Sequence, residues 1–295
     1  MTSINVAHPE DWKEYELLDS GLGEKLERFG PASNGYVIAR PDPRAIWDKT
    51  LAQEIWDSAD ATFHRTDPKN GEWIVKTPPP TPWHIHYGAL TFTLRPTEFK
   101  HVGLFPEQSV NWNWLTNIIA GKPLNVLNLF AYTGGATMAA IAAGARVTHV
   151  DAAKSTLTWA NENLKASGLP ETSIRWIEDD ALKFVLREQK RGNTYDGIIM
   201  DPPRFGRGSK GEVWKLENDL SMLVHACGQI LSKSPTFFLT NAYTADISAI
   251  ALDRLVHDMT KKFPGTQSYG ELTLKESASG KLLPNGIFAR WQREG

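Results

Sequence analysis

The sequence has little of what marks secreted, membrane-bound or metal-cluster proteins. Among its 295 residues only Cys227 is a cysteine, which excludes an intramolecular disulfide and a cysteine-rich metal cluster. The first twenty residues are polar, and no apolar run approaches the roughly 18 residues that cross a membrane. His84 and His86 share one face of a short β run, but no third ligand follows at a metal-binding spacing. We therefore expect a cytoplasmic protein with no membrane attachment and no metal.

Charge of one sign is also missing. The chain has 32 Lys and Arg against 34 Asp and Glu, so its formal net charge is −2. This balance excludes the overall basic character that is typical of many nucleic-acid-binding domains. A local basic patch remains compatible with an RNA partner.

The pattern of turns and periodicity divides the chain into two parts. Residues 1–100 are rich in glycine and proline turns between short β runs such as 36–39 and 90–94, which predicts a small β-rich accessory domain. Residues 101–295 instead alternate apolar β runs with helical stretches. Such alternation predicts an α/β domain with a mostly parallel sheet covered by helices on both faces.

The predicted elements of this second domain follow one another with short connections. We expect strands at 124–130, 146–150, 173–177, 195–200 and 236–240, and helices at 135–143, 155–167, 182–190, 216–231 and 247–263. The last two β runs, 270–275 and 287–292, have no helix between them. They predict an antiparallel hairpin at the edge of the sheet.

The first of these strands runs directly into a turn that contains glycine. The turn consists of Phe130, Ala131, Tyr132, Thr133, Gly134 and Gly135. Ligands of such sheets bind beyond the carboxyl ends of the strands, and glycine allows a ligand to approach the backbone closely. A plain strand-to-helix turn would use glycine for the same steric reason.

Acidic residues end the next two strands. Asp151 lies about 20 residues after the start of the turn, where a carboxylate can accept both ribose hydroxyls of a nucleoside. At the following strand end, Asp180 precedes Ala181 and is placed to accept the exocyclic amine of adenine. We prefer Asp180 to Asp179 because Asp180 is closer to the helix start. For each of these acids, capping of the following helix is the alternative.

The fourth strand ends in the most specific pattern of the chain. Asp201, Pro202 and Pro203 follow it directly, and the two prolines fix an extended turn with few free N–H donors. Asp201 then presents a carboxylate, and Pro202 a carbonyl, at the edge of the sheet. Phe205 is placed to stack on a planar substrate. A rigid structural turn is the alternative.

Together these strand ends distinguish between nucleoside cofactors. A nicotinamide dinucleotide would require G-x-G-x-x-G in the turn at 130–135, and that spacing is missing there. The chain also has no G-x-x-x-x-G-K-[ST] phosphate loop. S-adenosylmethionine has no phosphate, and a close backbone contact with two acids suffices to bind it. The pattern therefore predicts S-adenosylmethionine as the cofactor, with Asp201 where the methyl group is transferred.

Residues 105 to about 290 resemble a Rossmann-like class I S-adenosylmethionine-dependent methyltransferase. More narrowly, they resemble the bacterial 23S ribosomal RNA methyltransferases that include cytosine-C5 and guanine-N7 enzymes. The matching stretches are 103–108, 126–135, Asp151, 179–180 and 201–205. The resemblance implies cofactor contacts from the 130–135 turn, Asp151, Asp180 and Asp201. It also implies that Phe105 and Gln108 border the cofactor pocket.

The position of cysteine bears on the atom that is methylated. Methylation at C5 of a pyrimidine needs a nucleophilic thiolate, which the C5 enzymes of the family place after the fifth strand. Here that stretch contains Asn241 and no cysteine, and Cys227 lies inside a predicted helix between small residues. We therefore predict direct transfer to a nitrogen, with Asp201, the Pro202 carbonyl and Asn241 holding the acceptor group.

A basic, glycine-rich stretch follows the Asp-Pro-Pro turn. It contains Arg204, Arg207, Lys210 and Lys215 with one acid, Glu212. We expect a mobile loop over the active site whose cations, Arg204, Arg207 and Lys210 among them, clamp phosphate. A solvated loop without contact to the substrate is the alternative.

Three functions agree with these observations to different degrees. The leading prediction is methylation of a base nitrogen in RNA, most specifically ribosomal RNA. A methyltransferase for a protein side chain or a small molecule is the second, and the acidic balance of the chain favours it. A non-catalytic nucleoside-binding module is the third, and the intact turn at 201–205 argues against it.

Overall fold

The computed structural model describes residues 4–67, 71–207, 211, 213–243 and 246–294. Its strands are β1 (Asn5–Ala7), β2 (Tyr15–Gly21), β3 (Glu24–Phe29), β4 (Tyr36–Pro41), β5 (Ala61–Arg65), β6 (Gly71–Val75), β7 (His84–Tyr87), β8 (Leu90–Thr93), β9 (Asn125–Leu129), β10 (Arg146–Asp151), β11 (Ile174–Glu178), β12 (Gly197–Met200), β13 (Phe205–Arg207), β14 (Val213–Lys215), β15 (Phe237–Ala242), β16 (Gly265–Lys275) and β17 (Leu282–Arg293). Its α-helices are α1 (Gln53–Asp57), α2 (Ser109–Ile119), α3 (Gly135–Ala142), α4 (Lys154–Ala166), α5 (Ala181–Arg191), α6 (Leu216–Gln229) and α7 (Ala249–Thr260). Two short 3₁₀ helices cover Pro106–Gln108 and Glu171–Ser173.

The chain separates into two units. The large unit contains Met1–Ala7, Val110–Leu272 and Gly286–Gly295, and the small unit contains His8–Ser109 and Thr273–Asn285. A domain boundary near residue 100 stays a prediction from the sequence.

The small unit is rich in β structure. Strands β2 to β6 form one sheet in sequential order, and all neighbours are antiparallel except β4 and β5. Strands β7 and β8 form a separate antiparallel pair. This unit agrees with the β-rich amino-terminal region that the turns predict.

A buried ionic cluster crosses three strands of the small unit. The Glu27 carboxylate in β3 accepts hydrogen bonds from the Arg40 guanidinium (2.5 Å to Nε) and the Tyr15 hydroxyl (2.8 Å). Burial alone would raise the pKa of Glu27, but Arg40 and Lys25 lower it to about 2. Because each partner satisfies the other, the charges are accommodated away from water and tie β2, β3 and β4 together.

The large unit contains an eight-stranded sheet in the order β1-β16-β17-β15-β12-β9-β10-β11. Strands β9, β10, β11, β12 and β15 are parallel, and β17 runs antiparallel to β15. The predicted fold class is therefore confirmed. Strand β1 pairs with β16 on the outside of the sheet, an addition that the sequence pattern did not predict.

The central strands of the sheet are formed by short runs of apolar residues. All four residues of β12 are buried, because helices cover both faces of the sheet. One core contains Leu127, Leu129, Ile198 and Met200 of the sheet together with side chains of α5, α6 and α7. In the described part of the chain, no helix is both long and apolar enough to cross a membrane.

The order of the strands creates a crevice between β9 and β12. From β9 the chain proceeds to β10 and β11 on one side, and it then returns to form β12 on the other side of β9. The connections on the two sides of this point turn away from each other at the carboxyl ends of the strands. In open α/β sheets, ligands bind at this place.

The buried histidine His149 predicts that the large unit is sensitive to acid. His149 in β10 is fully buried, with Nδ1 2.9 Å from the Thr137 hydroxyl, and burial lowers its pKa to about 3. An unfolded chain binds this proton at a higher pH, near 6.5. The contribution of neutral His149 to stability is therefore complete above about pH 6.5 and is lost as the pH falls toward 3.

We expect the unfolding temperature of the large unit to fall between pH 7 and pH 5, and His149→Gln to make this decline shallower. Calorimetric scans at a series of pH values measure the slope. His225→Gln, at an exposed histidine of α6, is the control. An equal slope in wild type and His149→Gln would show that another group causes the acid sensitivity.

Candidate functional site

Backbone hydrogen bonds align the ends of four neighbouring strands. The Asp201 N–H donates to the carbonyl of Leu129 (3.4 Å), and the Ala131 N–H donates to Val150 (3.1 Å). The Asp179 N–H donates to the carbonyl of Asp151 (3.0 Å). The turns after β12, β9, β10 and β11 therefore lie in one row at the same edge of the sheet.

The turn after β9 has an unusual backbone. Phe130, Tyr132 and Gly134 have φ angles of 54°, 49° and 88°, so every second residue is left-handed. Left-handed backbone costs a residue other than glycine about 1–2 kcal/mol. Phe130 packs against the ring of Trp214 (5.1 Å between centroids), and the Tyr132 N–H donates to Asp151 (2.9 Å), which holds the strained turn in place. Such strain is typical of ligand-binding turns, where it turns backbone groups toward the bound molecule.

Trp112 of α2 packs against this turn, a contact that sequence reasoning missed. A Cβ added to Gly135 would lie 2.5 Å from Cζ2 of Trp112, so the indole occupies the space that any other residue would need. Gly134 precedes Gly135 as the N-cap of α3, also in left-handed conformation. The two glycines are thus needed for different reasons. Gly134 is needed for its positive φ angle, and Gly135 is needed because Trp112 packs closely against it.

Gly135→Ala is expected to destabilise the large unit by about 1–3 kcal/mol, because the methyl group displaces Trp112 or the turn. Urea unfolding followed by tryptophan fluorescence measures the change. Gly206→Ala is the matched control, since its added Cβ would come no closer than 3.5 Å to another atom. Equal stability of the two variants would contradict the steric argument.

The carboxylate of Asp151 is already partly engaged. Its Oδ2 accepts the Tyr132 N–H, and its Oδ1 accepts from the Ala153 N–H (3.0 Å) and the Thr156 hydroxyl (2.8 Å). A carboxylate has about four acceptor positions, so about one is left. The N-cap of α4 is Ala153, not Asp151. The ribose contact of Asp151 stays a prediction, with about one acceptor position open for it.

Asp180 and Asp179 differ in their contacts. Asp180 is the N-cap of α5, and its Oδ1 accepts the Lys183 N–H (2.9 Å). Asp179 accepts the Asp180 N–H (2.9 Å) and forms an ion pair with Arg187. The capping alternative is therefore correct for Asp180, and it uses only one of the two oxygens. An adenine contact from the other oxygen, next to buried Ala181, stays a prediction.

A β-hairpin follows the Asp-Pro-Pro turn, where the sequence predicted a mobile loop. Strands β13 and β14 pair antiparallel, and the Trp214 indole N–H donates to the Pro203 carbonyl (2.7 Å). Because Trp214 also packs on Phe130, one side chain that the sequence analysis missed joins the two turns. Phe205 is 54% exposed, as stacking on a substrate requires.

One cation of the predicted phosphate clamp, Arg204, is less available than the sequence predicted. The Arg204 guanidinium binds the carboxylates of Glu217 (2.9 Å) and Asp246 (2.6 Å). This pairing favours a structural role for Arg204 over a phosphate clamp. The backbone of Arg207 is part of β13, and Lys210 lies outside the described residues.

Asn241 lies in β15, the strand next to β12. The two strands are paired in register up to Met200 opposite Thr240, so Asp201 and Asn241 come next on neighbouring strands. Asn241 is 2% exposed, and its Oδ1 accepts from the side-chain amide of Asn111 (2.9 Å). The sequence analysis identified Asn241 but not this partner.

Phe105 and Gln108 belong to the small unit. Phe105 is half-buried at the start of the short helix Pro106–Gln108, and Gln108 is buried at its end. The Phe105 ring lies 5.2 Å from the ring of His101. Their implied place beside the cofactor stays a prediction.

Comparison with known proteins decides the family. The model of the S-adenosylmethionine-dependent methyltransferase family matches residues 51–269. The chain belongs to this family. The methyltransferase uses S-adenosylmethionine, so the predicted enzyme class and cofactor are confirmed.

Solved structures and curated proteins give further relatives of the methyltransferase. A S-adenosylmethionine-dependent methyltransferase from Agrobacterium tumefaciens superposes with a TM-score of 0.92 at 38% identity, over 98% of this chain and 94% of the other. SMU.776, a putative methyltransferase complexed with SAH, has the same fold, with a TM-score of 0.73 at 19% identity over 96% and 76% of the two chains.

One curated relative is much longer than this chain. The ribosomal RNA large subunit methyltransferase K/L of Shewanella frigidimarina is 31% identical over 169 residues, which are 56% of this chain and 23% of that protein. The methyltransferase therefore matches less than a quarter of the length of this relative.

The residues at the strand ends fit the cofactor chemically. Asp151, Asp180 and Asp201 place carboxylates along the row, an arrangement that suits hydroxyls, an amine and a positive sulfonium and that would repel a pyrophosphate. In the described residues, no three His, Cys, Asp or Glu side chains come together as a metal site requires. We expect the 130–135 turn, Asp151 and Asp180 to hold the nucleoside, and Asp201 to lie at the methyl group.

Proposed function

We propose that this methyltransferase modifies a nitrogen of a base in ribosomal RNA by direct transfer, without a covalent cysteine intermediate. The observation that carries the proposal is the pair of neighbouring strand ends at Asp201 and Asn241. They offer a carboxylate, the Pro202 carbonyl and an amide beside the cofactor turn, with no thiol.

These groups suit a nitrogen acceptor. S-adenosylmethionine, when bound, supplies an electron-poor methyl group that a nitrogen lone pair can attack in line. The protein then has to orient the acceptor and receive a proton from it. The Asp201 carboxylate is the natural proton acceptor, and the exposed ring of Phe205 offers a surface on which a base can stack.

The environment of Cys227 supports transfer without a thiolate. Cys227 lies in α6, is completely buried among apolar side chains, and has its pKa raised by that burial. A thiol in this setting remains protonated and is out of reach of a substrate.

Cys227→Ala is expected to retain methyl transfer within about twofold and to lose about 1 kcal/mol of stability. Transfer of radiolabelled methyl groups to RNA, together with urea unfolding, measures both quantities. If the variant loses activity but keeps its fold and its affinity for the cofactor, covalent chemistry has to be reconsidered.

Support for RNA as substrate comes from the curated relative, whose name describes a methyltransferase of ribosomal RNA. The chain is about a third identical to that protein along the matched segment, but it covers a small share of it. The pairing of Arg204 with two acids limits the local basic patch to fewer cations than the sequence suggested. In this proposal, base stacking on Phe205 and hydrogen bonding therefore supply recognition that Arg204 does not.

Nucleoside mass spectrometry of ribosomal RNA from a deletion strain tests the proposal. We expect one methylated nucleoside to disappear, to return with the wild-type gene, and to stay absent with Asp201→Asn. If no nucleoside disappears, the RNA substrate is wrong, and labelled methyl transfer into protein or small-molecule fractions of the same lysate then identifies the alternative.

A further inference from the structure

A buried arginine that pairs with no carboxylate among the described residues is linked to Asn241 through the side chain of Asn111. Arg290 of β17 is 8% exposed, and its Nε donates to Oδ1 of Asn111 (2.9 Å), as does its Nη2. Its guanidinium lies over the rings of Phe288 (4.2 Å) and Trp114 (5.2 Å). Burial lowers the pKa of Arg290 to about 10, so the side chain remains charged at neutral pH. Burying a charge beside a neutral amide is costly, which suggests that the arrangement serves a function.

The chemistry of arginine determines how the neighbouring amides are oriented. A guanidinium has only donors, so Asn111 must turn its oxygen toward Arg290. The amide nitrogen of Asn111 then faces Asn241 and donates to its oxygen (2.9 Å). As a result, the Asn241 N–H groups point away from Asn111. One cation thus sets the direction of two successive amides.

The register of the sheet places this oriented amide beside the acceptor motif. Side chains at matching positions of neighbouring parallel strands share a face of the sheet. Phe237 of β15 lies opposite Gly197 of β12 and contacts the ring of Trp114 in α2, so this face is the one that α2 covers. Asn241 lies four residues after Phe237 in β15, so its side chain is on that face, where it contacts Asn111 of α2. Asp201 directly follows β12 and is the next residue opposite Asn241 in this register.

We infer that Arg290 and Asn111 are positioning residues that hold the Asn241 amide as a hydrogen-bond donor next to the Asp201 carboxylate. The inference rests on the proposed function and sharpens it. A donor beside an acceptor matches an exocyclic amine on a carbon next to an accepting ring nitrogen. Adenine, cytosine and guanine have this arrangement, and uracil does not.

The transfer that follows is balanced. The amine nitrogen forms a bond to the methyl carbon while the carbon–sulfur bond breaks, and the sulfur leaves as a neutral thioether. The amine proton passes to Asp201 or to water. Asn241 donates to the ring nitrogen throughout and fixes the orientation of the base.

Asn111→Asp reverses the amide of Asn241 with almost no change in shape. The introduced carboxylate still accepts from Arg290, but it can no longer donate to Asn241. Asn241 then turns its nitrogen toward the carboxylate and presents its oxygen to the substrate. We expect an unfolding temperature equal to or above that of wild type and unchanged affinity for S-adenosylmethionine. With unmodified large-subunit ribosomal RNA, kcat/KM should fall roughly 10- to 100-fold, because two acceptors then face each other.

Asn113→Asp, on the exposed side of the same helix, introduces the same charge and should leave kcat/KM unchanged. If wild type methylates the RNA and Asn111→Asp does so equally well, the inference is wrong and the proposed function stands. If wild type methylates no RNA, the proposed function is wrong.

The amide orientation has a readout that needs no substrate. In protein labelled with ¹⁵N-asparagine, the side-chain amide signals of Asn241 should shift strongly in Asn111→Asp, since its N–H gains a carboxylate partner. The Asn113→Asp control should leave them in place. If the Asn241 signals do not shift in Asn111→Asp, Arg290 and Asn111 do not orient the Asn241 amide, whatever the substrate is.

Discussion

Asp201→Asn is expected to lower the rate of methyl transfer by about 100- to 1,000-fold, the usual contribution of a positioned proton acceptor. The replacement keeps the shape of the side chain and one accepting oxygen, but removes the charge that receives the proton. The backbone of residue 201 stays attached to the end of β9, because its N–H donates to the Leu129 carbonyl. Affinity for the cofactor should therefore fall much less than the rate of transfer does.

Asp196→Asn is the matched control for this experiment. Asp196 precedes the same strand, β12, at the opposite end of the sheet, and its carboxylate accepts the Asn125 N–H (3.0 Å). Its replacement alters an acid of the same type without touching the site. Single-turnover transfer of a labelled methyl group, together with titration calorimetry, separates the two effects. Comparable activity losses in both variants would remove Asp201 from its assigned role.

Asp151→Ala is expected to weaken binding of S-adenosylmethionine by roughly 10- to 100-fold, since hydrogen bonds to a charged group contribute about 1.5–3 kcal/mol. Part of this loss comes from the ribose hydroxyl that the remaining acceptor position would bind. Another part comes from the 130–135 turn, because the Tyr132 N–H loses its partner.

Thr156→Val is the matched control for Asp151→Ala. It removes one hydrogen bond to Oδ1 of Asp151 and leaves the Tyr132 contact on Oδ2 intact. We expect this variant to lose less than fivefold in affinity by calorimetry. If Asp151→Ala binds the cofactor as tightly as wild type, the carboxylate is a structural element of the turn and no ribose contact exists.

The fold of the large unit was largely predictable because its signals are local. Alternating β and helical patterns gave the order of the elements, and the observed strand β11 (Ile174–Glu178) differs from its predicted bounds by one residue. The hairpin after Pro203 was missed because glycine and charge dominate that stretch. Its second strand contains Trp214, which packs on Phe130, a residue far away in the sequence.

The site was predictable to a different extent at each position. Asp151 and Asp180 were chosen for their place after strands, but the same place also favours hydrogen bonds to the backbone. The structure shows that both carboxylates make such bonds. A ligand role and a structural role thus compete for the same oxygens. A sequence pattern does not show how many acceptor positions of a carboxylate are already occupied.

The sequence by itself determined the motifs at the strand ends that mark the family, because each motif is formed by residues that are neighbours in the chain. It also determined that no thiol is available for catalysis, because this depends only on the number and positions of cysteines. Only the tertiary structure decided which way the Asn241 amide faces and what holds the left-handed turn at Phe130 and Tyr132. Asn111 lies 130 positions from Asn241 and 179 from Arg290. Contacts across such distances follow from the order of strands in the sheet, and the direction of a hydrogen bond follows from the partner that the fold supplies.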